Sequence, residues 1–88
     1  MKITDLPAFT LREPGSGRVY SLLKASTDQG LTGWGESLPL APASLALARS
    51  VAVGQEPSRY DVLTRRLSGD PIAAAVNMAL LDLYGQEA

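Results

Sequence analysis

The sequence predicts an α+β fold, in which a three-stranded antiparallel meander is followed by three helices packed on one face of the sheet. Two observations carry this prediction. Segments of alternating apolar and polar residues separated by turn residues fill the first part of the chain, and segments with helix-forming residues and capping signals fill the second. We expect strands over about residues 2–11, 18–27 and 31–36, and helices over about 44–53, 58–67 and 71–84, within a single domain of residues 1–88.

Turn and breaker residues delimit the predicted strands. Pro7 lacks a backbone donor, so the first strand is expected at an edge of the sheet. A turn that ends at Gly30, with this glycine at positive φ, should join the second and third strands in a hairpin. Gly33 and Gly35 share one face of the third strand, which favours close packing of a helix there over direct contact with a ligand.

The opposite face of the third strand has larger side chains. Trp34 is expected to anchor either the core or an interface. Glu36 is a lone carboxylate at the strand's end, where a solvated or salt-bridged role is favoured over a catalytic one. Within the following loop, Leu38 and Leu40 are open to two interpretations: they remain exposed until something closes over them, or they tuck under the helices.

Capping signals predict where the helices begin and end. Ser44 should cap the first helix, and Ser58 with Asp61 should form a capping-box-like pair in the second. Asp70 should cap the third helix ahead of a proline at its first position, and Gly85 should end it in a left-handed turn.

The third helix is apolar on all sides. Between residues 72 and 83 only Asn77 and Asp82 are hydrophilic, and five residues at ~100° each separate them by ~140° around the helix. Such a helix is expected to be covered on more than one side. If the sheet covers one side, Ala74, Met78 and Leu81 remain for a second partner. We therefore predict an interface formed by Trp34, Ala74, Met78 and Leu81, and homo-oligomers wherever no other partner covers it.

Composition excludes several classes of function. With 8 basic and 9 acidic residues and no run of like charge, the chain is not expected to bind nucleic acid. No apolar segment reaches the ~20 residues that span a bilayer, and the first residues lack the apolar core of a secretion signal, so we expect no membrane partner and a cytoplasmic location. The chain has no cysteine and no histidine, which removes an ordinary zinc site and nucleophilic catalysis by Ser-His or Cys-His pairs.

Four segments in order resemble the amino-terminal capping domain of the enolase superfamily, in its mandelate racemase and muconate lactonizing branch. They are Gly17-Arg18-Val19-Tyr20-Ser21, Thr27-Asp28-Gln29-Gly30-Leu31-Thr32-Gly33-Trp34-Gly35-Glu36, Val53-Gly54-Gln55-Glu56-Pro57 and Ala74-Ala75-Val76-Asn77-Met78-Ala79-Leu80-Leu81-Asp82-Leu83-Tyr84-Gly85. Within that branch, Glu36-Ser37-Leu38-Pro39-Leu40-Ala41-Pro42 is most similar to hydroxyproline dehydratases and proline-betaine epimerases, which act on proline-type amino acids.

The resemblance implies a two-domain enzyme in which a barrel domain follows the capping domain. In the barrel, catalytic residues remove the α-proton of a carboxylate substrate, and Mg²⁺ held by three acids stabilises the enediolate. No catalytic residue, metal ligand or cofactor is expected among these 88 residues. The resemblance places two substrate-covering loops in this chain, made of Glu13, Pro14, Gly15, Ser16 and Gly17 and of Ser37, Leu38, Pro39, Leu40 and Ala41.

Three functional hypotheses follow from the sequence. The first is the capping domain of a racemase, epimerase or dehydratase, whose partner is a barrel domain of the same enzyme; the all-round apolar helix favours it. The second is a free-standing or designed α+β module without enzymatic activity, which oligomerises with other copies of itself through the same surface. The third is a small ligand-binding protein that uses the two loops as a pocket, although no cluster of polar residues converges on them.

Overall fold

Four strands form one antiparallel sheet in the computed structural model, which describes residues 1–87. The strands are β1 (Ile3–Asp5), β2 (Ala8–Arg12), β3 (Val19–Thr27) and β4 (Thr32–Ser37). The helices that follow are α1 (Pro42–Ala52), a 3₁₀ turn (Pro57–Arg59), α2 (Tyr60–Arg66) and α3 (Ile72–Glu87). The predicted α+β fold, strands first and three helices after them, is confirmed.

The first predicted strand is divided in two. Its halves β1 and β2 both pair with the same side of β3, with Ile3 opposite Thr27 and Ala8 opposite Leu23. Leu6 lies between the halves, where its side chain is buried and its amide bonds to the Asp5 carboxylate at 2.8 Å. Because β4 pairs with the other side of β3, the sheet is three strands wide and keeps the order of a meander.

Of the three predicted helix caps, one is confirmed and two are wrong. The Asp70 carboxylate accepts a bond from the Ile72 amide at 3.0 Å, so the predicted cap of α3 is confirmed. Ser44, however, does not cap α1: the helix begins at Pro42 and Ser44 is buried in its first turn. Proline has the φ of a first helical residue already, which moves the start two residues earlier. Asp61 does not pair with Ser58 either, because its carboxylate accepts from the Val62 amide.

The end of α3 also lies beyond its predicted position. The helix continues to Glu87, and Gly85 does not adopt a positive φ, so its predicted role in termination is wrong. A glycine in a helix costs only about 1 kcal/mol relative to alanine. The bond that the Gln86 side chain donates to the Thr32 carbonyl, at 2.8 Å, holds this last turn against the sheet.

The core lies between the helices and the inner face of the sheet. One face of α3 supplies much of it, and its fully buried residues are Ile72, Ala75, Val76, Ala79, Leu80 and Leu83. From the sheet, Leu23 and Ala25 of β3 point to the same side. This layer is completed by Leu63 of α2 and by Leu67, the residue that follows α2. The sheet-facing side of α3 is therefore the side that the sequence predicted.

Gly33 and Gly35 allow α3 to lie directly on β4. A Cβ atom at Gly33 would collide with the carbonyl oxygen of Ala79, and one at Gly35 with the carbonyl oxygen of Ala75. Both obstacles are helix backbone, which cannot rotate away. The prediction that a helix packs on the glycine face is confirmed, and it fixes the position of α3 on the sheet.

Candidate functional site

The two predicted substrate-covering loops lie at the same end of the sheet. The first, residues 13–17, joins β2 to β3, so it leaves the sheet where β3 begins. The second, residues 37–41, starts where β4 ends, and Ser37 is opposite Ser21 near the start of β3. Antiparallel pairing thus brings the two loops, which are far apart in sequence, to the same end of the strands. We call this end of the sheet the loop end.

The first loop is a short exposed hairpin connection. The Glu13 amide donates to the Arg18 carbonyl at 2.7 Å, and the Gly17 amide donates to the Glu13 carbonyl at 3.0 Å. At its tip, Gly15 has a φ of 90°. All residues of this loop are exposed, so they are available to a partner beyond the loop end.

The two leucines of the second loop have different surroundings. Leu40 is partly buried against the core, and its amide donates to the Ser21 hydroxyl at 3.2 Å. Leu38, in contrast, is 73% exposed. Both interpretations of this loop therefore hold, each for one leucine, and Leu38 is the apolar side chain that the loop presents outward.

An ion pair bridges the two strands beneath the loops. One guanidinium nitrogen of Arg18 lies 3.3 Å from Glu36 Oε1, and the guanidinium carbon lies 5.5 Å from the ring centroid of Tyr20. Both charged side chains are about half exposed, since their side-chain exposures are 55% and 50%. Glu36 is thus salt-bridged, which is one of the roles expected for it from the sequence. An exposed ion pair of this kind adds about 0–1 kcal/mol to the free energy of unfolding.

Within residues 1–87, no three acidic side chains lie close enough together to hold a metal ion, and the surface has no pocket. The residues present do not fit a Mg²⁺ ion. The arrangement is a pair of loops at one end of the sheet with one outward apolar side chain, Leu38.

The predicted interface residues lie on two different surfaces. Ala74, Met78 and Leu81 are exposed on the side of α3 that faces away from the sheet, and the exposure of Met78 is 49%. Trp34 lies on the outer face of the sheet, because its neighbours Gly33 and Gly35 take the inner face. The structure does not bring Trp34 together with the other three.

Trp34 is not part of the core. Its side chain is 41% exposed. The ring packs at a tilt against Phe9, with centroids 6.3 Å apart, and the ammonium of Lys24 lies 5.8 Å from its centroid. The expectation that Trp34 anchors the core is therefore wrong, since helix packing on the bare glycine face leaves the indole on the uncovered side. Its role in an interface stays a prediction.

We expect Trp34→Ala to lower the free energy of unfolding by about 1–2 kcal/mol, the sum of an aromatic pair and an exposed cation–π contact. Urea denaturation followed by circular dichroism measures this. Trp34→Phe keeps a ring against Phe9 and should recover part of the loss. A loss near the ~3–5 kcal/mol typical of buried tryptophan would contradict the outer-face placement.

Two polar residues of α3 have a role that sequence reasoning missed. The Asp82 carboxylate accepts a bond from the Trp34 amide at 3.1 Å, and the Gln86 side chain donates to the Thr32 carbonyl. Together they bond to two backbone groups at the outer edge of β4. The signal was present: Asp82 is one of only two hydrophilic residues between positions 72 and 83 and does not share a face with the other.

Several solved enzyme structures share this fold. An enolase from Agrobacterium radiobacter is 29% identical with a TM-score of 0.81, and a mandelate racemase/muconate lactonizing enzyme from Sulfitobacter sp. is 28% identical with a TM-score of 0.77. A dipeptide epimerase from Enterococcus faecalis, at 22% identity and a TM-score of 0.79, shares the fold. No protein-family model and no curated protein sequence matches the chain.

The matches cover nearly all of this chain but a fraction of the enzymes. They extend over 99% of the chain and over 25%, 27% and 30% of the three enzymes, in the order given. The chain thus spans less than a third of their length.

None of the helices described within residues 1–87 has the length and apolar character needed to cross a bilayer.

Proposed function

We propose that this chain is the amino-terminal capping domain of an enzyme of the mandelate racemase and muconate lactonizing branch of the enolase superfamily, and that its two loops cover a substrate held by a barrel domain. The structural similarity, at 28–29% identity across 99% of the chain, carries the proposal. It supports the superfamily, and the position of both loops at one end of the sheet supports the role of a lid.

In this role the chain would contribute exclusion of water and selection of substrate. Lids of this kind close over bound substrate and contact the part of it that does not react. Leu38, exposed at the loop end, is the side chain best placed for an apolar contact. Mg²⁺ and the groups that move the α-proton of a carboxylate substrate would belong to the barrel. A proline-type substrate is the proposed class, from the resemblance of residues 36–42.

The uncovered side of α3 supports a second domain beside this one. Met78 and Leu81 are 49% and 42% exposed, and Ala74 lies one turn before Met78 on the same side. Because the structural neighbours are about three to four times longer than this chain, a barrel domain is the occupant that we propose for this surface. The alternative, a free-standing module without activity, uses the same surface for self-association.

The coding sequence beyond the Ala88 codon tests the proposal. A frame that continues with a Lys-x-Lys motif and spaced acidic residues would support it, and a frame that stops would contradict it and favour the free-standing module.

The 88-residue chain alone should show no racemase, epimerase or dehydratase activity, with or without Mg²⁺. Metal-dependent turnover abolished by one substitution in this chain would overturn the assignment of the chemistry to a barrel.

In the enzyme that contains this domain, Leu38→Ala should raise KM for the substrate with a smaller effect on kcat, because the loop contacts the bound ligand and not the reacting atoms. Leu47→Ala is the matched control, since Leu47 is also exposed but belongs to α1 and to neither loop. Equal effects of the two substitutions would contradict the lid role of residues 37–41.

A double charge substitution on α3 tests the apolar surface itself. We expect Met78→Lys with Leu81→Glu to abolish the self-association that depends on α3 while the circular dichroism spectrum stays unchanged, because the buried face of the helix is untouched. Sedimentation over a range of protein concentrations measures the change. If the unmodified chain and the variant sediment identically, this surface does not drive association.

A further inference from the structure

The sheet has three edge segments, and other parts of the chain bond to two of them. At β1, the Ile3 amide donates to the Gln55 carbonyl and the Ile3 carbonyl accepts from the Gly54 amide, both at 2.8 Å. At β4, the Asp82 side chain accepts from the Trp34 amide and the Gln86 side chain donates to the Thr32 carbonyl, so α3 covers part of this edge. Proteins commonly cover or guard their strand edges in this way, because an open edge pairs with other chains.

The third edge segment, β2, is open. Its pairing with β3 runs in constant register, and the bonds at both ends, from the Glu13 amide to Arg18 and from the Lys24 amide to Pro7, fix which residues bond inward. Bonded and non-bonded pairs alternate in an antiparallel ladder, so Phe9 and Leu11 bond to β3. The amides and carbonyls of Ala8, Thr10 and Arg12 point away from the sheet, and no group within residues 1–87 bonds to them.

The central residues of β2 do not protect this edge. Pro7 precedes the strand and Arg12 is its last residue, but Ala8, Phe9, Thr10 and Leu11 are uncharged and the pairing with β3 has no bulge. Phe9 and Leu11 are themselves exposed on the outer face of the sheet. An open strand with apolar side chains is suited to pairing with another strand.

We propose that two copies of this protein pair through β2, antiparallel and about a two-fold axis at Thr10. The open groups are symmetric about that residue. Thr10 would therefore bond to Thr10 of the second copy, and Ala8 to Arg12 in both directions, so that all six open groups of each copy are satisfied. On the outer face, Phe9 of each copy would lie opposite Leu11 of the other copy.

Several properties of the chain favour a second copy over a different partner. The spacing of the open groups is its own complement under a two-fold axis, as an isologous interface requires. Residue 10 is uncharged and would face itself without repulsion. After pairing, no group of β2 is left open in either copy, so this contact by itself forms a closed dimer. This surface is distinct from the exposed side of α3, and the inference is independent of the proposed function.

Charged substitutions of Thr10 test the position of the two-fold axis. Residue 10 of one copy lies opposite residue 10 of the other only if the axis passes through this residue. The measurements use the Met78→Lys/Leu81→Glu background, which removes association through α3. Thr10→Lys and Thr10→Glu should each raise the dimer dissociation constant by roughly fivefold or more, since like charges lie directly opposite. An equimolar mixture of the two should restore the dimer as a heterodimer. Thr4→Lys, an exposed threonine on the covered edge at β1, is the matched control and should leave the dimer unchanged.

Amide hydrogen exchange on the unsubstituted protein gives a readout that needs no variant. The amides of Ala8, Thr10 and Arg12 should become more protected as protein concentration rises, while those of Phe9 and Leu11 stay protected throughout. A monomer at all concentrations, a dimer that Thr10→Lys leaves intact, a mixture that fails to form heterodimers, or the absence of concentration-dependent protection would each overturn the proposal. Pairing of β2 only with a strand of another protein would do so as well.

Discussion

Replacing Gly35 with alanine should lower the free energy of unfolding by about 3 kcal/mol or more, at the upper end of the range for overpacking. The new Cβ atom would collide with the carbonyl oxygen of Ala75 and would lie 2.9 Å from its carbonyl carbon. These are backbone atoms of α3, so relief requires the whole helix to move away from β4. That movement would also separate Asp82 from the Trp34 amide. Chemical denaturation followed by circular dichroism measures the loss.

Gly85→Ala is the matched control for this substitution. Gly85 lies within α3 without a positive φ, and a Cβ atom there would meet no atom within 4 Å. Alanine should therefore stabilise the protein, by up to about 1 kcal/mol, because it loses less backbone entropy in a helix. If Gly35→Ala left the denaturation midpoint unchanged, α3 would not be seated on β4 as described.

Leu80→Ala is expected to have an effect of comparable size. Leu80 is fully buried at the centre of α3. Removing such a side chain leaves a cavity and costs about 2–5 kcal/mol. A domain of this size has a total stability of roughly 4–13 kcal/mol, at about 0.05–0.15 kcal/mol per residue. The melting temperature should fall by about 10 °C or more, as measured by circular dichroism.

The adjacent Leu81 provides a control with the same chemistry. It is 42% exposed on the far side of α3. Leu81→Ala in the isolated chain should change the melting temperature by a few degrees at most, because the site leaves no cavity and alanine is a good helix former. Equal losses for the two substitutions would mean that α3 is rotated relative to the orientation described, or that a second copy already covers Leu81.

These two pairs of substitutions bear on the candidate site as well as on stability. The position of α3 on β4 determines which helix residues face outward and which side chains hold the edge of β4. If α3 were seated differently, Met78 and Leu81 would not form an exposed apolar surface, and Asp82 would not guard the edge. The edge of β4 would then lose both of the bonds that α3 makes to it.

The sequence by itself determined the order of the elements and the sheet-facing side of α3. Asp70 specified a cap because its carboxylate acts on an amide two residues away, an interaction that needs no distant partner. Gly30 adopts the positive φ that its turn requires, with a value of 78°. Gly33 and Gly35 indicated a close helix, since two bare positions on one strand face leave room for backbone. Each of these features depends on local conformation or on periodicity.

Only the tertiary structure decided where these elements meet their neighbours. Gly85 stays helical because the Gln86 side chain bonds to Thr32 of a distant strand. Trp34 lies outside the core because α3 occupies the opposite face of β4. Asp82, Gln86 and Gly54 bond to the edges of β4 and β1, whereas no residue of the described range 1–87 reaches the edge of β2. Such outcomes depend on contacts between residues that are about 50 positions apart in the chain, as from Trp34 to Asp82. Periodicity and capping rules describe neighbours in sequence, so they do not contain this information.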